Sequence, residues 1–351
     1  MVKRKKLNCN CRFVSNGCKK NLPSEIFVVI TNWNGQKLLR ACLKSFFENT
    51  SCPNCHVIVV DDGSIDRSVE MVELEFPEVK LIQNLKNLGF AKSNNIGINY
   101  ALTKGAQYIL LLNSDIIIVG KDWLPALINL IELDSNIGIV GCKLLYPDGR
   151  LQHAGGIIGV SGFRHRGLGE KDVGQYDNVQ IVDYVTGAAF LIKVEVINKI
   201  GLLDEGFSPL YFEEIDWCAR ARFYGYNVVY TPIPALIHKG RSTTRLLPTR
   251  KTDFYYKRNW IRFFLLNFKF ADVVKRIIFR EFRETIINLI SLNRNGKFPL
   301  VIKPDAPDKL AIEIKAWVIN LRNLKDILLK RKQRFLAYKS RNKIESKPKL
   351  V

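Results

Sequence analysis

From Glu25 onward the sequence alternates between short β-rich runs and segments whose apolar residues recur at helical spacing. This alternation constrains the fold more than any other feature of the chain. The β-rich runs are IFVVITN, HVIVV, VKLIQN and YILLLNSD, and the helical segments between them are QKLLRACLKSFFEN, DRSVEMVELEF and FAKSNNIGINYAL. Strands separated by helices form parallel βαβ units. The pattern therefore predicts an α/β fold whose strands are buried between flanking helices.

Polar side chains interrupt the apolar run LLLNSDIII at residues 113–115. Polar groups cost free energy inside an apolar layer unless they are paired. Similar clusters end two other predicted strands, at Thr31–Asn34 and at Asp61–Ser64. Each cluster alone is typical of a turn or a helix N-cap. Because ligands bind at the carboxyl ends of strands in open α/β sheets, three clusters at one edge predict a binding site.

The later part of this region is predicted to hold mixed strands and glycine-rich turns over residues 137–195. EEIDWCARARFYG is predicted to be a helix with Glu213, Glu214 and Asp216 in its first turn, where acids also complement the helix dipole. YNVVYTP is predicted to be the final strand. His238 is expected in the loop ALIHKGRSTT that follows it.

Positive charge is concentrated at the two ends of the chain. The formal net charge is +21, of which residues 1–24 contribute +7 and residues 250–351 contribute +17. Residues 25–249 are slightly acidic, which predicts a core domain between a basic, cysteine-containing leader and a basic helical extension. Basic ends of this kind suit an anionic membrane surface or nucleic acid.

A helix predicted to begin near Pro307 carries an apolar stripe at spacings of 4-3-4-3-4. The stripe consists of Leu310, Ile314, Trp317, Leu321, Leu324 and Leu328. One interpretation is a helix packed on the core by this stripe. The other is a basic amphipathic helix lying on an anionic membrane, and the charge asymmetry favours this one.

Neither a secretory signal peptide nor a transmembrane segment is visible in the sequence. No apolar h-region follows the basic N-terminus, and no run approaches about 18 uncharged residues. We therefore expect a cytoplasmic location, at the cytoplasmic face of a membrane. The eight cysteines are interpreted as free thiols. A zinc site that combines the leader cysteines with Cys52 and Cys55 is the weaker alternative, since the spacings fit no strong zinc pattern.

The acids and the histidine match the chemical demands of a sugar nucleotide. Its diphosphate leaving group needs a divalent cation or basic groups, and Mg²⁺ or Mn²⁺ prefers carboxylate oxygen, sometimes with an imidazole. An acceptor hydroxyl needs a carboxylate as general base. Asp61 and Asp62 are candidates for nucleoside contacts and Asp115 for the cation, while the acids near residue 214 are candidate bases.

Eight segments, taken together, resemble family 2 glycosyltransferases, most closely the rhamnosyltransferase-like branch. They are VVITNWNG, VIVVDDGSIDRS, NLGFAKSNNIGI, YILLLNSD, LLYPDGRLQHAGG, VTGAAFLIKVEVINKIGLLDEGF, YFEEIDWCARARFYGYNVVYTP and LIHKGRST, in family order. The resemblance implies a GT-A fold with a mixed, mostly parallel sheet. Residues 25–120 would form its nucleotide-binding half and residues 121–249 its acceptor half.

The resemblance also implies an inverting enzyme of the hexosyltransferase class that acts in polysaccharide biosynthesis. It would use a nucleotide-sugar donor, a divalent cation (Mg²⁺ or Mn²⁺) and a saccharide or lipid-linked acceptor. The positions that match the family's donor contacts are Thr31, Asp61, Asp62, Asn87 and Asn113. Those that match its cation ligands are Asp115 and His238. Glu214 matches the catalytic base, with Glu213 and Asp216 beside it.

One position departs from the family's DxD-type motif, because Asn113 replaces its first carboxylate. An amide can accept a hydrogen bond from a ribose hydroxyl or a metal-bound water without adding charge. Asp115 is then the single acid of the motif. The cation is therefore predicted to bind weakly until the donor's diphosphate arrives.

Other functions are less well supported by the sequence. A sugar-nucleotide nucleotidyltransferase usually has a glycine-rich, basic phosphate loop, whereas the first strand here ends in TNWNGQ. A nucleic-acid-binding protein could act through the basic ends, but no recognisable nucleic-acid module is present and no nucleic-acid partner is expected. An inactive scaffold is disfavoured by the intact acids at 115, 213, 214 and 216.

Overall fold

The computed structural model describes residues 25–159, 162–240, 248–268, 270–273, 290–291, 301–302 and 306–345. The basic leader and its three cysteines lie outside the described residues. Contacts divide the described chain into two compact units. The first contains residues up to 209 together with 213–240, and the second contains residues 210–212 and those from 248 onward.

The first unit contains twelve strands and six α-helices among its described residues. The strands are β1 (Ile26–Asn32), β2 (Cys55–Asp61), β3 (Lys80–Gln83), β4 (Tyr108–Asn113), β5 (Ile116–Ile117), β6 (Ile137–Leu145), β7 (Leu151–His153), β8 (Gly156–Gly159), β9 (Gly162–His165), β10 (Gln180–Val182), β11 (Ala189–Lys193) and β12 (Asn227–His238). The helices are α1 (Gln36–Asn49), α2 (Ser68–Glu75), α3 (Phe90–Thr103), α4 (Trp123–Glu132), α5 (Val194–Ile200) and α6 (Glu213–Phe223).

Ten of these strands form one mixed sheet, in the order β10-β12-β6-β11-β4-β1-β2-β3, with β5 on β12 and β7 on β6. Strands β1 to β4 pair in parallel, as do β6 and β12, whereas β11 runs antiparallel between β4 and β6. This confirms the predicted α/β fold with a mixed, mostly parallel sheet. From β1 the chain places β2 and β3 on one side and β4 on the other. Ligands bind where strand order reverses in this way.

The strand that contains the apolar run LLLN lies in the middle of this sheet and is buried. Ile109, Leu110 and Leu111 of β4 are fully buried, as is Val29 of the neighbouring β1. Helix α3 packs on β1 at Gly97, where a Cβ would lie 2.5 Å from the Val29 side chain. Glycine therefore lets this helix approach the sheet closely, so the strands are covered by apolar contacts.

The last strand of the first unit is longer than the sequence predicted. The loop expected to begin at Ala235 is wrong in its first part, because β12 continues through Pro232 and Pro234 to His238. Its pairing with β6 shifts register between Thr231 and Ala235, and a bulge of this kind accommodates prolines that cannot donate to the ladder. As a result His238 lies at a strand end, in register with Ile116 of β5.

The second unit is mostly helical in its described part. It contains α7 (Thr249–Asn267), α8 (Phe270–Val273), β13 (Ile290–Ser291), β14 (Val301–Ile302), α9 (Ala306–Arg322) and α10 (Leu324–Glu345). Helices α9 and α10 pack on α7. The buried positions of these two helices are Ala316, Asn320, Ile327 and Arg334. Asn320 Nδ2 donates to the carbonyl of Arg258 at 2.9 Å, which ties α9 to α7.

The apolar stripe predicted on these helices is not the face that packs. Four of its six residues, Leu310, Ile314, Leu321 and Leu328, are 36%, 56%, 58% and 53% exposed, whereas Trp317 and Leu324 are half-buried. The buried positions lie roughly a third of a turn away around the helix axis. The interpretation of the stripe as a core-packing face is therefore wrong. Within the described ranges, none of the helices combines the length and the low charge that a membrane span needs.

Candidate active site

The carboxyl ends of β1, β2 and β4 bring the three polar clusters to one edge of the sheet. Thr31 is in register with Val60 on one side and with Asn113 on the other, and Asn32 is in register with Asp61. The parallel ladder fixes these neighbours because all three strands run in the same direction. The edge that the sequence predicted is therefore present.

Asp61 is 2% exposed and its carboxylate is held by this edge. Oδ2 accepts from Asn32 Nδ2 at 3.1 Å, and Oδ1 accepts from the backbone N–H of Ser64 at 2.8 Å. Asn32 Oδ1 is buried and has no hydrogen-bond partner in the described part of the chain. A Cβ at Gly35 would lie 2.6 Å from that oxygen, so glycine leaves room for it. Asn32 belongs to the predicted polar cluster Thr31–Asn34, but no individual role was predicted for it.

Asp62 anchors the segment that carries Asn87. Its Oδ1 accepts from the backbone N–H of Leu88 at 2.8 Å and from Asn84 Nδ2 at 3.0 Å, while Oδ2 accepts from the N–H of Gly89 at 2.9 Å. Asn87 itself is exposed. A donor contact by either residue stays a prediction, but these bonds explain how Asp62 orders the chain around Asn87.

Asp115 and His238 are brought together by strand pairing. Since His238 is in register with Ile116, the carboxylate of Asp115 lies next to the imidazole. Asp115 Oδ1 is 2.9 Å from His238 Nε2, and Asn113 Nδ2 is 3.3 Å from the same nitrogen. The backbone N–H of Lys239 donates to the Asp115 carbonyl at 3.1 Å. The predicted pair of cation ligands therefore shares one small space.

Gln152 of β7 is a neighbour of His238 that the sequence analysis missed. Its Nε2 donates to the His238 carbonyl at 3.1 Å, and its Oε1 contacts His238 Nδ1. The residue lies in the segment LLYPDGRLQHAGG, but its amide side chain carries no signal of this contact. Only the pairing of β7 with β6, and of β6 with β12, brings it to the histidine.

The three acids of α6 differ in their surroundings. Glu213 and Asp216 are 1% and 0% exposed, whereas Glu214 is half-buried. Burial raises the pKa of Glu214, and the backbone N–H groups of Glu214, Ile215 and Gly187 lower it by a smaller amount. A carboxylate with a raised pKa is suited to accept a proton near neutral pH.

Gly187 connects Glu214 to the edge of the sheet. The next residue, Ala188, accepts from the backbone N–H of Asn113 at 3.0 Å. A Cβ at Gly187 would lie 3.0 Å from the ring of Phe90 and 3.6 Å from Glu214 Cβ, so glycine permits this approach. Tyr211 and Phe212, just before α6, have positive φ values of 80° and 78°.

Asp216 forms a buried ion pair with Arg220 one turn later. Asp216 Oδ2 accepts from Arg220 Nε at 3.0 Å, and the guanidinium also donates to the carbonyls of Ile200 and Leu202 at 2.5 and 2.7 Å. These bonds join α6 to Ile200, the last residue of α5, and to Leu202 just after it. They give the Asp216 carboxylate a buried structural partner.

Replacing Asp216 by Asn is expected to destabilise the protein. Removing one partner of a buried ion pair leaves the other charge uncompensated and costs about 3–5 kcal/mol. Chemical denaturation of the full chain measures this loss, with Asp122→Asn, an exposed carboxylate, as the matched control. An unchanged unfolding midpoint for Asp216→Asn would contradict the structural role of this pair.

The donor set around His238 fits a divalent cation. Asp115 supplies a carboxylate oxygen, which both Mg²⁺ and Mn²⁺ prefer as a ligand. His238 supplies an imidazole nitrogen, which suits Mn²⁺ better than Mg²⁺. Within the described ranges, no three His, Cys, Asp or Glu side chains gather as a metal site. The protein would therefore supply few of the ligands, and substrate phosphates and water would supply the others.

Comparison with known proteins identifies the family. Residues 27–201 match the family model described as Glycosyl transferase family 2. This chain belongs to the family 2 glycosyltransferases. This glycosyltransferase is 29% identical over 224 residues to the dTDP-rhamnosyl transferase RfbF of Shigella flexneri, which covers 62% of the chain and 70% of that protein. This assignment confirms the resemblance to family 2 glycosyltransferases that the sequence motifs indicated, and the similarity to RfbF agrees with the rhamnosyltransferase-like branch.

Two further similarities concern length and fold. The glycosyltransferase is 30% identical over 255 residues to the uncharacterized protein y4gI of Sinorhizobium fredii, a match that covers 67% of the chain but 27% of that protein. The chain thus spans about a quarter of that relative. The mannosyltransferase PcManGT of Pyrobaculum calidifontis, solved with GDP-Man and Mn²⁺, superposes with a TM-score of 0.51 at 13% identity, covering 94% and 89% of the two chains. This likeness confirms the GT-A fold.

Proposed function

We propose that this glycosyltransferase moves a sugar from a nucleotide-diphosphate donor to a hydroxyl of a saccharide or lipid-linked acceptor, with inversion at the anomeric carbon. The observation that supports the proposal is the Asp115–His238 pair at the sheet edge, with Glu214 linked to the same edge by backbone contacts. Glu214 reaches that edge through Gly187 and Ala188, and Asp115 and His238 lie beside Asn113.

The nucleotide would bind over the ends of β1, β2 and β4. Thr31, Asp61 and Asn113 lie in register there and offer hydroxyl, carboxylate and amide oxygens to a base and a ribose. Asp62 would contribute by holding the segment that presents Asn87. The dTDP and GDP donors in the names of the relative and the mannosyltransferase support a nucleotide-sugar donor without choosing its base.

Asp115 Oδ1 and His238 Nε2 would hold the divalent cation, Mg²⁺ or Mn²⁺. When bound, the cation supplies positive charge next to the diphosphate as the sugar departs. Asn113 lies beside this pair, with its Nδ2 3.3 Å from His238 Nε2. The Mn²⁺ in the mannosyltransferase structure supports this assignment.

Glu214 would act as general base in a single displacement. Its carboxylate takes the proton of the acceptor hydroxyl as that oxygen bonds to the anomeric carbon. The bond from this carbon to the diphosphate oxygen breaks, and its electron pair leaves with the nucleoside diphosphate. Attack opposite the leaving group inverts the anomeric configuration. The ion pair of Asp216 and the deep burial of Glu213 favour Glu214 among the three acids.

A donor-hydrolysis screen tests the proposal. UDP-, dTDP- and GDP-sugars are incubated with the full chain and Mn²⁺ or Mg²⁺, and the released nucleoside diphosphate is measured. We expect cation-dependent hydrolysis within one nucleotide class and its loss in EDTA. Pyrophosphate release from nucleoside triphosphate and sugar 1-phosphate, without donor hydrolysis, would instead identify a nucleotidyltransferase. Activity that is unchanged in EDTA would overturn the cation assignment.

We further propose that the exposed stripe of α9 and α10 lies on an anionic lipid surface. The large apolar side chains that are exposed on these helices are Leu310, Ile314, Val318, Leu321, Leu328, Leu329 and Leu336. Apolar side chains in one stripe along a helix are what an interfacial helix buries among lipid headgroups. A lipid-linked acceptor would then be presented at the same surface.

The charges around this stripe favour an anionic partner. The exposed bases on or beside it are Lys315, Arg322, Lys325 and Lys332. The acids of these helices whose side chains the structure describes are paired within the second unit: Asp308 with Arg250, Glu313 with Lys257 and Asp326 with Arg262, at 2.8, 3.3 and 2.7 Å. The unpaired charge near the stripe is therefore positive, which complements anionic headgroups.

Replacing Leu321 and Leu328 by Gln should weaken binding to phosphatidylglycerol-containing vesicles. Each exposed leucine that enters the interface contributes enough apolar burial for roughly a tenfold change in affinity. Co-sedimentation measures the change, and Leu74→Gln, an exposed leucine of the first unit, is the matched control. Equal binding by the double variant, or stronger binding to single-stranded RNA than to the vesicles across salt, would contradict the lipid assignment.

A further inference from the structure

Gln152 makes two contacts with His238, and together they determine the direction of its amide group. The backbone carbonyl of His238 can only accept a hydrogen bond, so the Gln152 atom 3.1 Å from it is the NH₂ group. The amide oxygen must then face His238 Nδ1. Because an amide oxygen only accepts, Nδ1 carries the proton. The choice between the two amide orientations is thus decided by the backbone carbonyl.

The tautomer that follows leaves the other imidazole nitrogen free to bind a cation. In a neutral imidazole with a proton on Nδ1, Nε2 holds a lone pair. That nitrogen lies 2.9 Å from Asp115 Oδ1, a spacing at which both atoms can bind the same cation. A carboxylate oxygen and a nitrogen lone pair that converge in this way form two ligands for one cation.

The backbone holds Gln152 in place for this contact. Strand β7 pairs antiparallel with β6, and β6 pairs with β12, so Gln152 reaches His238 across two ladders. Gly240, two residues after the histidine, has φ +65°, and a Cβ there would lie 2.8 Å from Gln152 Nε2. Glycine at this position therefore keeps open the space that the amide occupies.

We propose that Gln152 is a positioning residue that fixes the Nδ1–H tautomer of His238 and so presents the Nε2 lone pair to the cation at Asp115. The proposal rests on the cation site proposed above and adds its orienting partner. Groups that accept from the second ring nitrogen of a metal-binding histidine fix both ring and tautomer, and their loss typically weakens metal binding about 10–100-fold.

The tautomer of the wild-type chain, measured with Mg²⁺ and a nucleoside diphosphate present, tests the proposal without any variant. The chain has four histidines, so long-range proton–nitrogen correlation spectra of the ¹⁵N-labelled protein are simple enough to assign, with His238→Gln identifying the missing signal. We expect a protonated Nδ1 and a bare Nε2 for His238. A protonated Nε2 with a bare Nδ1 would overturn the proposal.

Two substitutions then separate the role of Gln152 from that of the histidine. Gln152→Met removes the acceptor and should lower Mn²⁺ affinity about 10–100-fold, measured by electron paramagnetic resonance with UDP, dTDP or GDP present. Gln152→Glu keeps an acceptor toward Nδ1 and should keep most of the affinity.

The outcomes distinguish this proposal from the cation site on which it rests. If His238→Gln loses Mn²⁺ affinity while Gln152→Met keeps both wild-type affinity and wild-type tautomer, the role of Gln152 is wrong and the cation site stands. If His238→Gln binds Mn²⁺ as tightly as the wild type, the cation site itself is wrong and the proposal fails with it. Loss in Gln152→Met with retention in Gln152→Glu supports the positioning role.

Discussion

Glu214→Gln should reduce sugar transfer by about 10²–10⁴-fold, the usual contribution of a positioned general base. The amide has nearly the size of the carboxylate but cannot take a proton at neutral pH. Donor binding should remain, because Glu214 lies on α6 whereas the proposed nucleotide contacts Thr31, Asp61 and Asn113 lie on β1, β2 and β4. The measurement compares kcat/KM for transfer with donor affinity by calorimetry. Turnover close to the wild type would show that the base is assigned wrongly.

The pH dependence of transfer provides an independent test of the same residue. A base acts in its ionised form, so kcat/KM should fall as the pH drops through the pKa of Glu214. Because burial raises that pKa, the fall should occur at a higher pH than for an ordinary glutamate. This acid limb should disappear in Glu214→Gln and persist in Asp216→Asn. A limb that persists in Glu214→Gln would assign it to another group.

Asp115→Asn should lower cation-dependent transfer about 100-fold or more, since a cation at the leaving diphosphate contributes several kcal/mol to the transition state. Asp115 is the single acid of the Asn113–Ser114–Asp115 motif, so no neighbouring carboxylate in that motif can replace it. The variant should also need more Mn²⁺ for half-maximal activity. Asp122→Asn is the matched control, and equal Mn²⁺ dependence in the two variants would contradict the assignment.

The local elements of the first unit could be predicted closely from the sequence. The segment QKLLRACLKSFFEN was predicted as a helix and forms α1 over Gln36–Asn49, and IFVVITN forms β1 over Ile26–Asn32. The first segment has apolar residues at helical spacing. The second is a short run rich in β-branched residues, which is typical of a buried strand. The shared edge followed as well, because parallel strands present their carboxyl ends together.

Elements that depend on distant pairing could not be predicted. The predicted final strand ended at Pro232, yet β12 continues past Pro232 and Pro234 because its bulged pairing with β6 accommodates both prolines. The contact of Gln152 with His238 has the same origin, since it requires two ladders between segments 86 residues apart. No property of a single segment contains this information.

The apolar stripe of the second unit illustrates a different limit. Its period correctly indicated one apolar face on a helix, but a period does not indicate what covers that face. In the structure Ala316, Asn320 and Ile327 pack instead, and Asn320 is held by a hydrogen bond to α7. Small and polar residues at a packed interface give a weak hydrophobic signal, so the sequence pattern pointed to the exposed face.

Mn²⁺ binding with and without nucleoside diphosphate tests the central claim most directly. The wild-type chain is titrated with Mn²⁺ alone and with Mn²⁺ plus UDP, dTDP or GDP, and free Mn²⁺ is followed by electron paramagnetic resonance. Since Asp115 and His238 supply few ligands, we predict weak binding alone and a sharp gain in affinity with the nucleotide of the donor class. Tight binding without nucleotide, or no gain with any of the three, would contradict the account.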